Sequence, residues 1–421
     1  MSTTEQLHGH WWMPEGPSRK VSGTLVLSDA ARPRLDLHDA LIDFDSVDSQ
    51  TVFGESGGRA ISVFDAYVTS GSHSFRNGQE YREQTLNVSG LVVGNAHVSS
   101  TGAPAFIESV IELDYLTYWA RGVELEVARP DPAGTCTFTV SIGSPRSARF
   151  GDVDVRISTS HRYTSRGSFS LGEMSIPAHF RTVFGVISAG PISIDGHLEV
   201  SRRLADLVTL AMHRPARIRR IKFFTSPVES ELWEKFEWWG SEPATEDLEL
   251  DDRSKQRVNF TLDDIDLETL LACWHKLHQT ANYGMLSLVA LQRESSTYYE
   301  TKLLGVCGAL EALHKGMHPA KLDYRERCLA LAEIPPAEAV RQIIHDKGLW
   351  ARNITAARNH LAHGDEPHRR KVPEDAWYRL YDTSMALLVL VAMTELGISE
   401  PTQMRTLSRG ALEHAATVAT G

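Results

Sequence analysis

At 421 residues the chain is long enough for two or three domains with substantial cores. Hydrophobic residues at 42% and charged residues at 23% are ordinary for a soluble globular protein. A formal net charge of −11 argues against a protein that coats nucleic acid through bulk charge, so any nucleic-acid binding would have to use a local basic patch. Four cysteines (Cys136, Cys273, Cys307 and Cys328) lie far apart with no Cys-x-x-Cys pair. That pattern argues against a disulfide framework or a cysteine zinc site and suits a reducing compartment. The amino terminus lacks the basic-then-apolar pattern of a signal peptide, and the longest apolar run, Met385 to Met393, is too short to span a bilayer. The expectation is a soluble, cytoplasmic chain with no membrane contact.

From about residue 8 to 198 the sequence reads as strands. Val21–Leu27, Ala60–Phe64, Thr85–Val93, Val123–Val127, Cys136–Val140, Val153–Ser158 and Phe169–Leu171 are short runs, several of them alternating, with Gly, Pro, Asp and Ser between them. Such runs indicate an antiparallel sandwich or barrel. The aromatic groups Trp11-Trp12, Tyr115 and Tyr118-Trp119 read as core anchors, with a ligand cleft or base-stacking surface as the alternative. No Gly-rich phosphate loop is present.

A helix is expected from about Leu198 to Met212. After it, His213 to Phe224 is the densest basic stretch in the chain. As a strand it would place Arg217 and Arg219 on one side and Arg220 and Lys222 on the other. These four side chains are candidates to track an RNA backbone; the competing reading is a solvated sheet edge guarded by cations. Residues 241–260 read as an acidic linker, so residues 1–240 form a β-rich region and 261–421 a helical bundle. In the bundle, helical spacing starts near Leu267, continues through Tyr298 to His314 and Tyr324 to Ala332, and resumes near Trp350. A closing helix is expected from Trp377 to Leu396. The fold class is α+β.

The stretch that carries chemistry is Arg358-Asn359-His360-Leu361-Ala362-His363-Gly364, at what reads as the last turn of a helix with Gly364 as its left-handed stop. His363 can take and give a proton near neutral pH. Arg358 offers a permanently charged fork that fits phosphate. Together they are the two groups a metal-free RNA-cleaving site needs. Asn359 lies four residues before His363, on the same face, and could orient the imidazole or touch a phosphate oxygen. A solvated helix end is the plainer reading of the same residues. A metal site on His360 and His363, with Asp365 and His368 nearby, would need three or four converging ligands, and no second matched pair supplies them. No metal and no cofactor is expected.

Arg358, Asn359 and His363 resemble the signature of HEPN-domain ribonucleases: an arginine, a polar residue next to it, and a histidine after a gap of four to six residues, late in a helical bundle. The helix through Tyr298 to Leu313 and the closing helix from Trp377 fit that context. The layout of a β-rich region followed by such a bundle is similar to ApeA-type abortive-infection proteins of bacteria. The resemblance implies a metal-independent endoribonuclease in anti-phage defence, with RNA as substrate, Arg358, Asn359 and His363 as catalytic residues, and a phage-derived trigger. It also implies a homodimer or larger even assembly in which two motifs face one cleft. The alternative is a non-catalytic scaffold whose bundle only dimerises and whose β-rich part senses a ligand or phage protein.

Overall fold

The computed structural model describes residues 4–28, 31–43, 48–76, 79–127, 138–163, 168–170, 173–175, 178–226, 235–240, 257–294, 298–318, 320–363 and 376–420. The acidic segment 241–256, Cys136, Gly364, Asp365 and His368 lie outside the described residues.

Six strands, β1 (Thr4–Trp12), β2 (Val21–Ser28), β3 (Ala31–Leu37), β4 (Gln50–Ser56), β5 (Arg59–Arg76) and β6 (Gln79–Asn87), close into an antiparallel barrel. β1 pairs with β2 and β4, β3 bridges β2 and β6, and β5 bridges β4 and β6. Alternation makes the interior: Leu7, Trp11, Val21, Leu25, Leu27, Leu35 and Leu37 are buried together. Trp11 lies across Gly54, its direct partner on β4. A Cβ at Gly54 would come within 2.2 Å of the indole ring, so no other residue fits there.

β5 belongs to two structures. Its first half pairs with β7 (Gly90–Gly94) as far as Phe64, and its second half pairs with β6 from Tyr67. Between the halves Asp65 takes φ 51°, a left-handed conformation that Asp tolerates better than most side chains. Ser49 Oγ donates to the Asp65 carboxylate at 3.2 Å across the bend. The run Thr85–Val93, expected as one strand, is therefore two. β6 closes the barrel and β7 leaves it, and between them Val88 donates its N–H to Pro33 C=O at 3.3 Å.

The second sheet adds β8 (Phe106–Leu113), β11 (Arg146–Phe150), β12 (Val153–Tyr163), β15 (Ala178–Ile192), β16 (Ile218–Phe224) and β17 (Lys235–Gly240). Its order is β11-β12-β15-β8-β16-β17-β7-β5, antiparallel throughout. The pairs β9 (Val123–Val127) with β10 (Phe138–Ile142) and β13 (Ser168–Ser170) with β14 (Glu173–Ser175) form separate two-stranded ribbons. A short helix, α1 (Leu116–Ala120), follows β8.

Helix α2 (Ile194–Met212) starts four residues before the sequence pattern suggests, because Ser193 Oγ caps it by accepting from Gly196 N–H at 3.1 Å. Every residue from Leu204 to Met212 is buried. A helix apolar on all sides needs a neighbour on each, and α2 has the second sheet on one side and the bundle on the other.

The bundle comprises α3 (Leu267–Arg293), α4 (Tyr299–Met317), α5 (Tyr324–Leu331), α6 (Ala337–Ile343), α7 (Lys347–His363), α8 (Trp377–Glu395), α9 (Glu400–Arg409) and α10 (Glu413–Thr420). α3 kinks at Ala281 (φ −131°, ψ 35°). α3 and α4 approach closely at Gly284, where a Cβ would sit 2.5 Å from Leu313 Cα. Polar bonds tie the bundle to α2. Asp206 pairs with Arg293 at 2.6 Å, and Trp274 Nε1 donates to Arg203 C=O at 2.9 Å. Buried Asn259 donates to Leu210 C=O at 2.6 Å, while Thr406 Oγ1 donates to Asn259 C=O at 2.8 Å. No helix among the described residues is long and apolar enough to cross a membrane.

Candidate functional site

α7 carries the motif. Asp346 starts it by accepting from Leu349 N–H at 2.8 Å, three residues before the expected start near Trp350. Trp350, Ala351, Ile354 and Ala357 recur at helical spacing and are buried, and the Trp350 indole donates to Ser384 Oγ on α8 at 3.0 Å. Burying that face leaves Arg358 and Asn359 half-buried at its margin and His363 exposed as the last helical residue.

Arg358 is held from three sides. Its Nη2 donates to Glu311 Oε2 of α4 at 3.4 Å, and its Nη1 donates to Asn359 Oδ1 at 3.3 Å. The guanidinium carbon stands 5.1 Å from the Tyr324 ring centroid of α5, a cation–π contact. Glu311 also holds Arg327 Nη1 at 2.9 Å and Lys315 Nζ at 2.7 Å. The Lys315 hydrogen bond, with the Lys315, Arg358 and Arg327 charges behind it, holds the Glu311 carboxyl below its ordinary pKa despite partial burial. Three cations thus share one carboxylate, a local surplus of positive charge in a chain whose net charge is −11. Tyr324 anchors the corner by donating its hydroxyl to Cys307 C=O at 3.3 Å. Burial pushes the Cys307 and Cys328 thiols up to about 11 and about 12, so neither is a thiolate nucleophile near neutral pH.

Asn359, expected to orient either motif partner, faces Arg358. His360 turns toward Trp377 of α8, with ring centroids 6.0 Å apart. Because α7 is helical through His363, Arg358 and His363 leave the axis about 140° apart and about 7.5 Å along it. Arg358 is drawn into the junction of α4, α5 and α7, while His363 stands at the solvent end. Among the described residues no group of three His, Cys, Asp or Glu side chains converges on a point that could hold a metal.

The second half of the basic stretch is the strand β16, on the second sheet, and Arg217 immediately precedes it. Arg219 Nε pairs with the buried Asp114 carboxylate, which also accepts from Arg217 N–H at 3.3 Å. Arg220 Nε pairs with Glu237 on β17 at 2.6 Å. Burial, with Lys235, Arg181 and Arg220 around it, lowers the Lys222 ammonium to about 8. Much of this charge is spent within the sheet. The Arg358 cluster is carried by helices packed on one another, and β16 lies between β8 and β17; the two sets of candidate residues are not brought together by any pairing described here. Trp11 and Trp119 are fully buried, as the core-anchor reading expects.

A β-barrel and sheet leading into a helical bundle, with an Arg-Asn pair and a His at the end of one bundle helix, define a HEPN-bearing protein of the abortive-infection type. The chain belongs to the ApeA family: the model of ApeA N-terminal domain 1 matches residues 6–274, and the Apea-like HEPN model matches residues 304–402. The first match includes the barrel, the second sheet, α2 and the start of α3; the second includes all of α5, α6, α7 and α8. No curated protein and no solved structure significantly matches the chain.

Proposed function

We propose that this protein is a metal-independent endoribonuclease of a bacterial anti-phage system, cleaving RNA at Arg358, Asn359 and His363. The observation that carries the reading is the Arg358 cluster: a half-buried guanidinium with surplus positive charge around it, five residues from an exposed histidine. In the reaction the ribose 2′-oxygen bonds to the adjacent phosphorus as the bond to the 5′-oxygen breaks. One proton leaves the 2′-hydroxyl and one reaches the departing 5′-oxygen. His363 handles these protons, a role worth roughly 10²–10⁴-fold in rate. Arg358, held by Glu311 and Asn359, offsets charge growing on the phosphate oxygens.

The resemblance to HEPN ribonucleases supports an assembly in which the motifs of two copies face one cleft, a homodimer or larger even oligomer. In this reading residues 1–240 form the sensing half, responsive to a phage-derived trigger, and 261–421 the nuclease half, in the cytoplasm. Arg217, Arg219, Arg220 and Lys222 are secondary RNA contacts, with Arg219 and Arg220 weakened by their pairing with Asp114 and Glu237.

The test is substitution at the motif. His363→Ala should abolish RNA cleavage and cellular toxicity while the thermal midpoint and oligomer size stay unchanged, since an exposed helix end contributes within about 0.5 kcal/mol to stability. Arg358→Lys should rescue poorly, because a point charge cannot grip phosphate with a fork. His360→Ala serves as the control on the same turn and should retain activity. Full cleavage by His363→Ala overturns the proposal, and equal loss in His360→Ala points to a metal pair instead.

A further inference from the structure

The barrel carries a polar groove that the chemistry above does not use. It encloses about 480 Å³ on the outer wall, where β4, β1 and β2 run side by side and β3 ends. Leu7, Trp11, Val21 and Leu25 fill the barrel interior. The residues alternating with them, His8 and His10 on β1 and Ser22 and Thr24 on β2, therefore face outward. Strand register sets these side chains in rows. Glu55, His10 and Ser22 are successive cross-strand partners, and His38 N–H donates to Ser22 C=O at 2.9 Å, extending the row to the end of β3. In the next row His8 lies opposite Thr24, its Nδ1 2.9 Å from Thr24 Oγ1. Lys20, just before β2, rests its ammonium 4.3 Å from the Trp12 ring centroid. Two facing glycines let the wall draw in here. Gly9 pairs with Gly23, and a Cβ on Gly9 would collide with Glu55 C=O, one on Gly23 with Asp36 C=O.

These groups are not spent within the protein. Among the described residues Lys20 pairs with no carboxylate, and the rings of His10 and His38 make no hydrogen bond. Two neighbouring carboxylates are already engaged: Asp36 holds Arg34 at 2.9 Å and accepts from Thr85 Oγ1 at 3.0 Å, and Asp39 lies 4.0 Å from Arg19. Glu55, exposed at the β4 end of the row, forms no ion pair among the described residues. An ammonium and two hydroxyls at alternate positions along one strand, with imidazoles on either side, offer donors to a phosphate, whose oxygens are strong acceptors. The imidazoles are spread over β1 and the end of β3 and, with Glu55, converge on no point that could hold a metal. The volume falls in the range of small-molecule sites, about 300–1,000 Å³. It leaves room for more than the phosphate, and Glu55 then meets a hydroxyl donor. A long nucleic-acid strand would gain nothing from Glu55, whose charge repels its phosphates.

We propose that this groove binds a small organic phosphate of the mononucleotide class, with the phosphate on Lys20, Ser22 and Thr24 and a sugar hydroxyl on Glu55. His10 and His38 flank the phosphate as further donors. The site goes beyond the nuclease reading and does not depend on it, because it lies on the barrel, whose interior is separate from the core that the bundle shares.

The test is calorimetric titration of the full chain, in phosphate-free buffer at low salt, with AMP, adenosine and inorganic phosphate in turn. AMP should bind. Adenosine and inorganic phosphate each lack one of the two recognised groups and should bind roughly tenfold more weakly or worse. Lys20→Met keeps an apolar stem over Trp12 and should weaken AMP about 10- to 150-fold, the loss expected when a charged hydrogen-bond donor goes. Ser22→Ala with Thr24→Ala should also weaken AMP, and the thermal midpoint without ligand shows that both variants fold. Glu55→Ala should weaken AMP but not inorganic phosphate. No binding of AMP, or parental affinity in both the Lys20→Met and the double Ala variant, overturns the site. Inorganic phosphate binding as tightly as AMP overturns the organic ligand and leaves an adventitious ion only. Adenosine binding as tightly as AMP overturns the phosphate seat. Each of these failures leaves the nuclease reading standing, since the motif lies on α7.

Discussion

Arg358 shares the Glu311 carboxylate with Arg327 and Lys315, so one side chain on α4 fixes the arginine on α7 and ties down α5 as well. Arg327 is only 14% exposed, and Glu311→Ala would leave it without a carboxylate. That change should cost about 2–3 kcal/mol of stability, measured by denaturant unfolding. Glu311→Gln keeps the shape and one acceptor. It should unfold closer to the parent while cleaving RNA more slowly, because Arg358 loses its charged anchor; unaltered cleavage would mean that Arg358 is positioned without Glu311. The pH sign follows from the depressed carboxyl. Glu311's contribution is fully present above its unfolded pKa, near 4.5, and is lost as pH falls through the lower folded value. The motif itself was legible in the sequence because Arg358, Asn359 and His363 fall within six residues of one helix. Glu311, Tyr324 and Arg327 were not, because Glu311 is 47 positions from Arg358 and only the packing of α4, α5 and α7 joins them.

Helix α2 is the element on which the two halves of the chain meet. His197, fully buried on it, places Nε2 3.2 Å from Phe106 C=O, and burial lowers its pKa to about 4. The folded state therefore resists a proton that the unfolded chain accepts near pH 6.5. Stability is fully present above that value and falls as pH drops toward 4, by up to about 1.4 kcal/mol per pH unit for this residue. His197→Phe should flatten the decline in thermal midpoint between pH 6.5 and 4.5; an unaltered slope would assign the decline to other groups. Asn259 closes the carboxyl end of α2, and Asn259→Ala should cost about 1–3 kcal/mol by leaving Leu210 C=O without that donor. On β16, Arg219→Ala should cost a similar amount by uncovering buried Asp114, and only then is its effect on RNA binding interpretable. Strand identity was legible wherever apolar and polar residues alternate, as in β2. Closure of the barrel was not, because it depends on β5 turning at Asp65 to pair with β6, and no periodicity announces a left-handed aspartate.

At the scale of the whole molecule, the barrel keeps its own interior, while the second sheet, α2 and the bundle share one continuous core. Packed side chains and the Asp206–Arg293 and Asn259–Thr406 links join the second sheet and α2 to the bundle, whereas the barrel joins that body through β5 and β7. The order of a β-rich part before a helical part was legible from composition and spacing. The placement of α2 between them was not, because an all-round apolar helix does not say which two layers it separates. The proposed chemistry at Arg358 and His363 is tested by incubating RNA with purified protein, and any trigger it requires, in excess EDTA and analysing the fragment ends. Attack by the 2′-hydroxyl should leave 2′,3′-cyclic or 3′-phosphate and 5′-hydroxyl ends, with DNA of the same sequence left intact. Cleavage abolished by EDTA and restored by a divalent ion, or fragments bearing 5′-phosphate, would contradict it.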